Sequence, residues 1–322
     1  MTKNFFLGFV GLVAPASLCV AQVQTPLMGV APDGGALRPM YGMPSSGSLG
    51  RPMPAPGNLN HSAVAPGGSV AIGVTPEEGR PVVVKMGPDG AKFAEIPGAA
   101  QGADHVCLSP KGSAALLLNS ATGVAQVVSG LAAEAAVGRS LDFSGATTLH
   151  ATAVSDDGAW VVASTDAGVI AYGPQGQTVT LPVAGAVTAL TFLNSSLDVV
   201  ATTATEVTLI SEINGLANAQ ALYAGAADAP PPPESPIAIA VSEDNNHVVL
   251  IEPSGGIGHI NRATGAVTVA DCQCAPAGLF SLGGTVFRVT AVDGGSAKVY
   301  DAVTDSVWFV PQALDLTDGG AQ

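Results

Sequence analysis

The sequence predicts an all-β fold: a β-propeller, six-bladed with seven blades as the alternative, each blade a four-stranded antiparallel sheet. The first observation is a phrase that recurs six times, an apolar strand followed by a short polar turn and a Val/Ala-rich strand. Its clearest copies are Leu108-Ser109-Pro110-Lys111-Gly112 before Ser113 to Leu118, Val154-Ser155-Asp156-Asp157-Gly158 before Ala159 to Ser164, and Val241-Ser242-Glu243-Asp244-Asn245 before Asn246 to Ile251. Looser copies begin at Val64, Phe192 and Phe280, so the apolar residue before each turn recurs at spacings of 44, 46, 38, 49 and 39. A period near forty with several strands per unit is the mark of propeller blades. The second observation is composition: 47% of residues are hydrophobic, only 5% aromatic and 11% charged, with 40 glycines. Such a core is built from Val, Ala, Leu and Ile, which suit closely stacked sheets.

The chain begins with the pattern of an export signal over residues 1–21. Lys3 supplies the positive start, Phe5 to Val13 the apolar stretch and Cys19-Val20-Ala21 a small-residue cleavage site, so the mature chain is expected to start at Gln22. No later stretch reaches about 18 uninterrupted apolar residues, and no transmembrane anchor is expected. Residues 22–58 are rich in Pro, Gly, Ser and Met and show neither strand nor helix periodicity; they read as a flexible leader. The propeller is placed at 59–311 and a C-terminal tail at 312–322.

Within the propeller the units parse into short strands and tight turns. In the third unit the strands are Thr148 to Val154, Trp160 to Ser164, Val169 to Tyr172 and Thr178 to Leu181, separated by Asp157-Gly158, Asp166 to Gly168 and Gly173-Pro174-Gln175-Gly176. The fifth repeats the scheme with Ile237 to Val241, His247 to Ile251, Gly258 to Asn261 and Ala266 to Ala270. Runs such as Leu116-Leu117-Leu118 and Val248-Val249-Leu250-Ile251 are apolar on both faces, as a sheet sandwiched between neighbours requires. Leu131 to Val137 is Ala-rich and reads as the one place for a helical turn. Ring closure is left with two routes, packing alone or a strand supplied by the leader.

The search for chemistry is mostly negative. There is no Gly-x-Ser-x-Gly elbow, no His-Glu-x-x-His, no phosphate loop and no dinucleotide fingerprint, so no catalytic residue is assigned. His61, His105 and His150 each precede the repeat mark by three or four residues, which sets them at similar heights on three successive innermost strands. Three imidazoles at one level of a channel mouth are candidates for a divalent metal, though no cofactor is otherwise predicted. Three cysteines remain after signal removal. Cys107 reads as a core residue, and Cys272 and Cys274 as a local disulfide. The run Pro230-Pro231-Pro232-Pro233 forms a polyproline loop between two blades and is the candidate interaction loop. A formal charge of −14, with 11 Lys and Arg against 25 Asp and Glu, argues against nucleic acid or an anionic membrane as partner.

The turns Ser155-Asp156-Asp157-Gly158 and, in altered form, Ser109-Pro110-Lys111-Gly112 resemble those of the WD40-like and YVTN-type β-propeller repeats of exported bacterial proteins. The resemblance covers about 250 residues of the chain, and its motif marks a strand-turn-strand rather than an active site. The Trp-Asp dipeptide of eukaryotic WD40 repeats is missing, as is the sialidase-type Asp box. The broad group contains surface-layer and scaffold proteins, assembly factors, lactonases and quinoprotein dehydrogenases, and it passes on no site residue. The expected role is an exported, periplasmic or extracellular monomer that binds a protein or small-molecule ligand at one propeller face. A propeller enzyme of lactonase or quinoprotein type with its site at the channel mouth is the alternative, and a cell-surface structural protein the second.

Overall fold

A computed structural model describes residues 26–53, 58–87, 90–146, 148–224, 235–290, 292 and 296–312. It contains seven antiparallel sheets in chain order, six of four strands and the first of three. Blade 1 comprises Leu27–Asp33, Ala36–Tyr41 and Ser48–Leu49. Blades 2 to 7 follow with innermost strands Asn60–Val64, His105–Leu108, Leu149–Val154, Ala189–Phe192, Ala238–Val241 and Phe280–Gly283. These strands touch one another in order round a closed ring, blade 1 lying between blade 7 and blade 2. Among the described residues the only helical turns are the short Pro44–Ser46 and Pro66–Gly68, and no helix is long and apolar enough to cross a membrane.

The expectation of six blades is corrected to seven. The additional sheet comes from residues 27–49, inside the segment that reads as a leader. Its signal is faint because its first two strands are interrupted by Pro32 and Pro39, its third has only 2 residues, and its inner strand ends at Asp33, only 31 positions before Val64. Ring closure uses both chain ends: Leu49 is bridged in parallel to Gln312, just beyond the outer strand Ser306–Pro311 of blade 7, and Met53 is bridged to Leu37. Blade 1 acts as an apolar wedge. Ala31, Met40 and Leu49 pack with Leu282, Val299 and Val310 of blade 7, whereas Val30 and Leu37 pack with Ala71, Val82 and Val84 of blade 2.

Recurring serine turns close the inner hairpins of blades 3, 4 and 6. Ser155 donates its backbone N–H to Trp160 O and its hydroxyl accepts Trp160 N–H at 2.9 Å, while Asp157 accepts Ala159 N–H. Ser242, Asp244 and His247 repeat this in blade 6, and the Ser109 hydroxyl accepts the N–H groups of Ser113 and Ala114 in blade 3. Gly112 is required in its turn: its φ is +67° and a Cβ there would fall 2.2 Å from the Ala65 side chain of blade 2. Where a helical turn was expected, the chain makes a plain turn at residues 131–133 and then the outer strand Ala136–Asp142.

Candidate functional site

Side-chain alternation decides which neighbour each inner-strand residue faces. In blade 3, Val106 and Leu108 pack into the layer shared with blade 2, and Cys107 into the layer shared with blade 4. His105, two residues before Cys107, therefore turns toward blade 4. In blade 4, Ala151 and Ala153 pack toward blade 5, and Val154 toward blade 3. His150 and Thr152 accordingly face blade 3. The two imidazoles line one cleft of about 750 Å³ between blades 3 and 4, on the face where the blade-to-blade connections run.

The cleft wall also holds Asp104, Ser120, Phe143 and Thr152. Gly123, with φ +70°, brings the blade 3 turn against the connection that leads to blade 4; a Cβ there would lie 2.6 Å from Ser144 N. Asp104 Oδ1 accepts both the backbone N–H and the hydroxyl of Ser120 at 2.9 Å. Partial burial works against its charge, but the Ser120 hydrogen bonds and the nearby His61 outweigh it and hold the carboxyl below its ordinary pKa. Burial pushes His105 below the usual histidine value; Asp104 opposes that shift and His61 adds to it. His150 Nε2 lies 2.9 Å from Asp166 Oδ1, and this bond, with one from Thr148, lowers the Asp166 pKa. Asp142 is lowered by Ser144, whose N–H it accepts at 2.8 Å.

The three histidines singled out by spacing are thus brought together only in part. His105 and His150 share the cleft. His61 has a left-handed φ of 45° where the pairing of Asn60–Val64 with its neighbour is irregular, and it lies outside the cleft wall while still acting on Asp104 and His105. Among the described residues no group of three or more His, Cys, Asp or Glu is gathered to hold a metal ion. Where the inner strands converge on the axis lies a smaller, mainly apolar space of about 220 Å³ between residues such as Val64, Val106, Leu190, Ile239 and Phe280. Pro230 to Pro233 lie outside the described residues. Cys272 and Cys274 are disulfide-bonded with Cα atoms 5.2 Å apart, and Cys107 is a free, half-buried thiol whose pKa burial pushes up to about 11. Sequence reading alone passed over Thr152, Phe143 and Ser120. Their small or apolar side chains carry no motif, and only the packing of two blades sets them around the histidines.

No protein-family model matches the chain, and no curated protein matches it. Solved structures do. The crystal structure of a functionally unknown protein from Desulfotomaculum acetoxidans DSM 771 superposes with a TM-score of 0.58 at 13% identity, covering 88% of this chain and 97% of the other. The structure of apo AztD from Citrobacter koseri superposes with a TM-score of 0.56 at 12% identity, covering 88% and 93%. At such identities the likeness is one of fold, and the fold is a β-propeller.

Proposed function

We propose that this chain is an exported binding protein of the WD40-like propeller kind, whose ligand site is the cleft between blades 3 and 4. The export signal supports release from the cytoplasm, although residues 1–21 lie outside the described structure. The observation that carries the reading is the convergence of Asp104, His105 and His150, from two blades, on one cleft of about 750 Å³. That size is within the range of roughly 300–1,000 Å³ typical of small-molecule sites, and a mixed wall with a few convergent polar groups is their usual chemistry. Loops joining rigid blades are where such sites are commonly assembled.

The test is a thermal-shift screen of the mature chain, from Gln22, against amines, sugars, carboxylates and divalent metal ions. A hit that raises the melting temperature in the parent and loses its effect in both His105→Ala and His150→Ala places binding in this cleft. Hits unaffected by either substitution would move the function elsewhere on the propeller.

A further inference from the structure

Resting on the reading of the cleft as a ligand site, we propose that it takes a small organic cation of the alkylamine class, with Asp104 as the counter-charge and Thr152 as a buried hydrogen-bonding partner. The wall contains a carboxylate and no Lys or Arg among its described residues, and Asp142 and Asp166 stand beside it on the Ser144 and His150 sides. Hydrogen bonds favour the ionised form of all three acids, so the cleft is an anionic patch at neutral pH. His105, biased toward its neutral form, offers an acceptor rather than a competing positive charge.

Thr152 supplies an independent observation. It is only 8% exposed and lines the cleft, two residues beyond His150 on the same face of the strand. Its hydroxyl is buried without a hydrogen bond of full geometry among the described residues, the Cys107 thiol of blade 3 being a side chain that interacts with it. A buried hydroxyl left without a full hydrogen bond is a cost to the fold that a pairing group entering the cleft removes. Leu118, Phe143 and Leu149 complete the wall and give a hydrocarbon stem an apolar surface beside the charged head. Acceptors and carboxylate at one side, aliphatic and aromatic side chains at another, match an ammonium group on a short carbon chain. An anion would be repelled by the acids, and a neutral polyol would leave their negative charge unbalanced.

The experiment is isothermal titration of the mature chain with 1,4-diaminobutane, 1,4-butanediol and zinc chloride at low ionic strength, repeated with Asp104→Asn and Thr152→Val. The expected result is one-to-one binding of the diamine at least tenfold tighter than the diol. Asp104→Asn should weaken the diamine at least tenfold, and its side-chain oxygen can still accept from Ser120, so the fold is retained. Thr152→Val should weaken the diamine while the unliganded melting temperature stays equal or rises, because removing a hydroxyl that lacks a full hydrogen bond helps the fold; a hydroxyl of purely structural importance would lower it. Diol binding equal to diamine binding and insensitive to Asp104→Asn would overturn the cation assignment and leave the cleft a ligand site. Zinc binding abolished by His105→Ala, without diamine binding, would replace the organic cation by a metal ion. Failure of all three probes together with a blank thermal-shift screen would remove the ligand site itself.

Discussion

Asp156 shows how a turn residue joins neighbouring blades. Its Oδ1 accepts the backbone N–H of Lys111 in blade 3 at 2.8 Å, and its Oδ2 accepts that of Ser195 in the inner turn of blade 5 at 2.7 Å. One carboxylate therefore fixes three successive inner turns. Ser113 adds a bond to Asp156 O from the blade 3 side. Replacing Asp156 by Ala leaves two N–H groups without their acceptor, and a loss of about 1–2 kcal/mol is expected, since both are only partly screened from water. Urea denaturation measures it. Asp156→Asn, which keeps one acceptor oxygen, should recover part of the loss, and equal stability of all three proteins would show that the bridge contributes nothing. The serine-turn chemistry around this residue is legible in sequence because it is local: Ser155, Asp157 and Gly158 close a single hairpin. The bridging is not, because Lys111 and Ser195 lie 45 and 39 positions away and periodicity says which turns are equivalent without saying which groups meet.

At the scale of elements, blade 6 carries a histidine pair that the strand assignments held without revealing. The strands His247–Ile251 and Gly256–Asn261 pair with Val249 opposite His259, which sets His247 diagonally beside His259 on one face. Their rings stack, with His247 Nδ1 and His259 Nε2 2.8 Å apart. Thr268 of the outer strand lies 3.3 Å from His259 Nδ1, and Asp305 of blade 7 lies 3.6 Å from it; Asp305 also accepts the buried Tyr300 hydroxyl, and in the inner turn the Ser242 and Asn246 hydrogen bonds, with His247 after them, lower the pKa of Asp244. Two facing ring nitrogens this close share one hydrogen, so the pair cannot carry two protons on the facing positions. Burial, reinforced by His247, pushes the His259 pKa below the ordinary histidine value against the pull of Asp305. An unfolded histidine titrates near 6.5, so the unfolded chain takes up a proton that the folded one resists once the pH falls through that value. Stability is therefore expected to be fully present above about pH 7.5 and to be lost as the pH falls below about 6.5, with a slope of no more than about 1.4 kcal/mol per pH unit for one proton. Urea titrations between pH 5 and 8 on the parent and on His259→Gln separate this contribution from that of His105. Parallel slopes in the two proteins would refute it.

For the whole molecule the question is what closes the ring. Six units announce themselves in the sequence because each has the apolar mark, the polar turn and strands long enough to read; their inner strands end at or near the marked residues Val64, Leu108, Val154, Phe192 and Val241. The sixth mark, Phe280, opens its strand instead of ending it, because Gly283 and Gly284 replace the serine turn. Blade 1 lacks the mark altogether, and its prolines, glycines and serines give a composition that resembles a linker. What identifies it as structure is burial contributed by distant residues: Val30, Leu37, Met40 and Leu49 are each at most 4% exposed, wedged between blades 7 and 2. At about 1.5–3 kcal/mol for each large buried apolar side chain, these four are worth an upper estimate of roughly 6–12 kcal/mol. That is comparable to the net stability of about 5–15 kcal/mol of an ordinary domain. The buried ion pair of Arg38 with Asp33 at 2.6 Å and the Leu49–Gln312 bridge would be lost with them. A chain beginning at Asn58 is therefore expected to expose the facing sides of blades 2 and 7 and to lose cooperative thermal unfolding, whereas the chain from Gln22 melts in a single transition. Calorimetry of the two chains decides the point. An equally cooperative transition at the same temperature in the shorter one would mean that six blades close without the wedge, and that residues 27–53 decorate the ring rather than complete it.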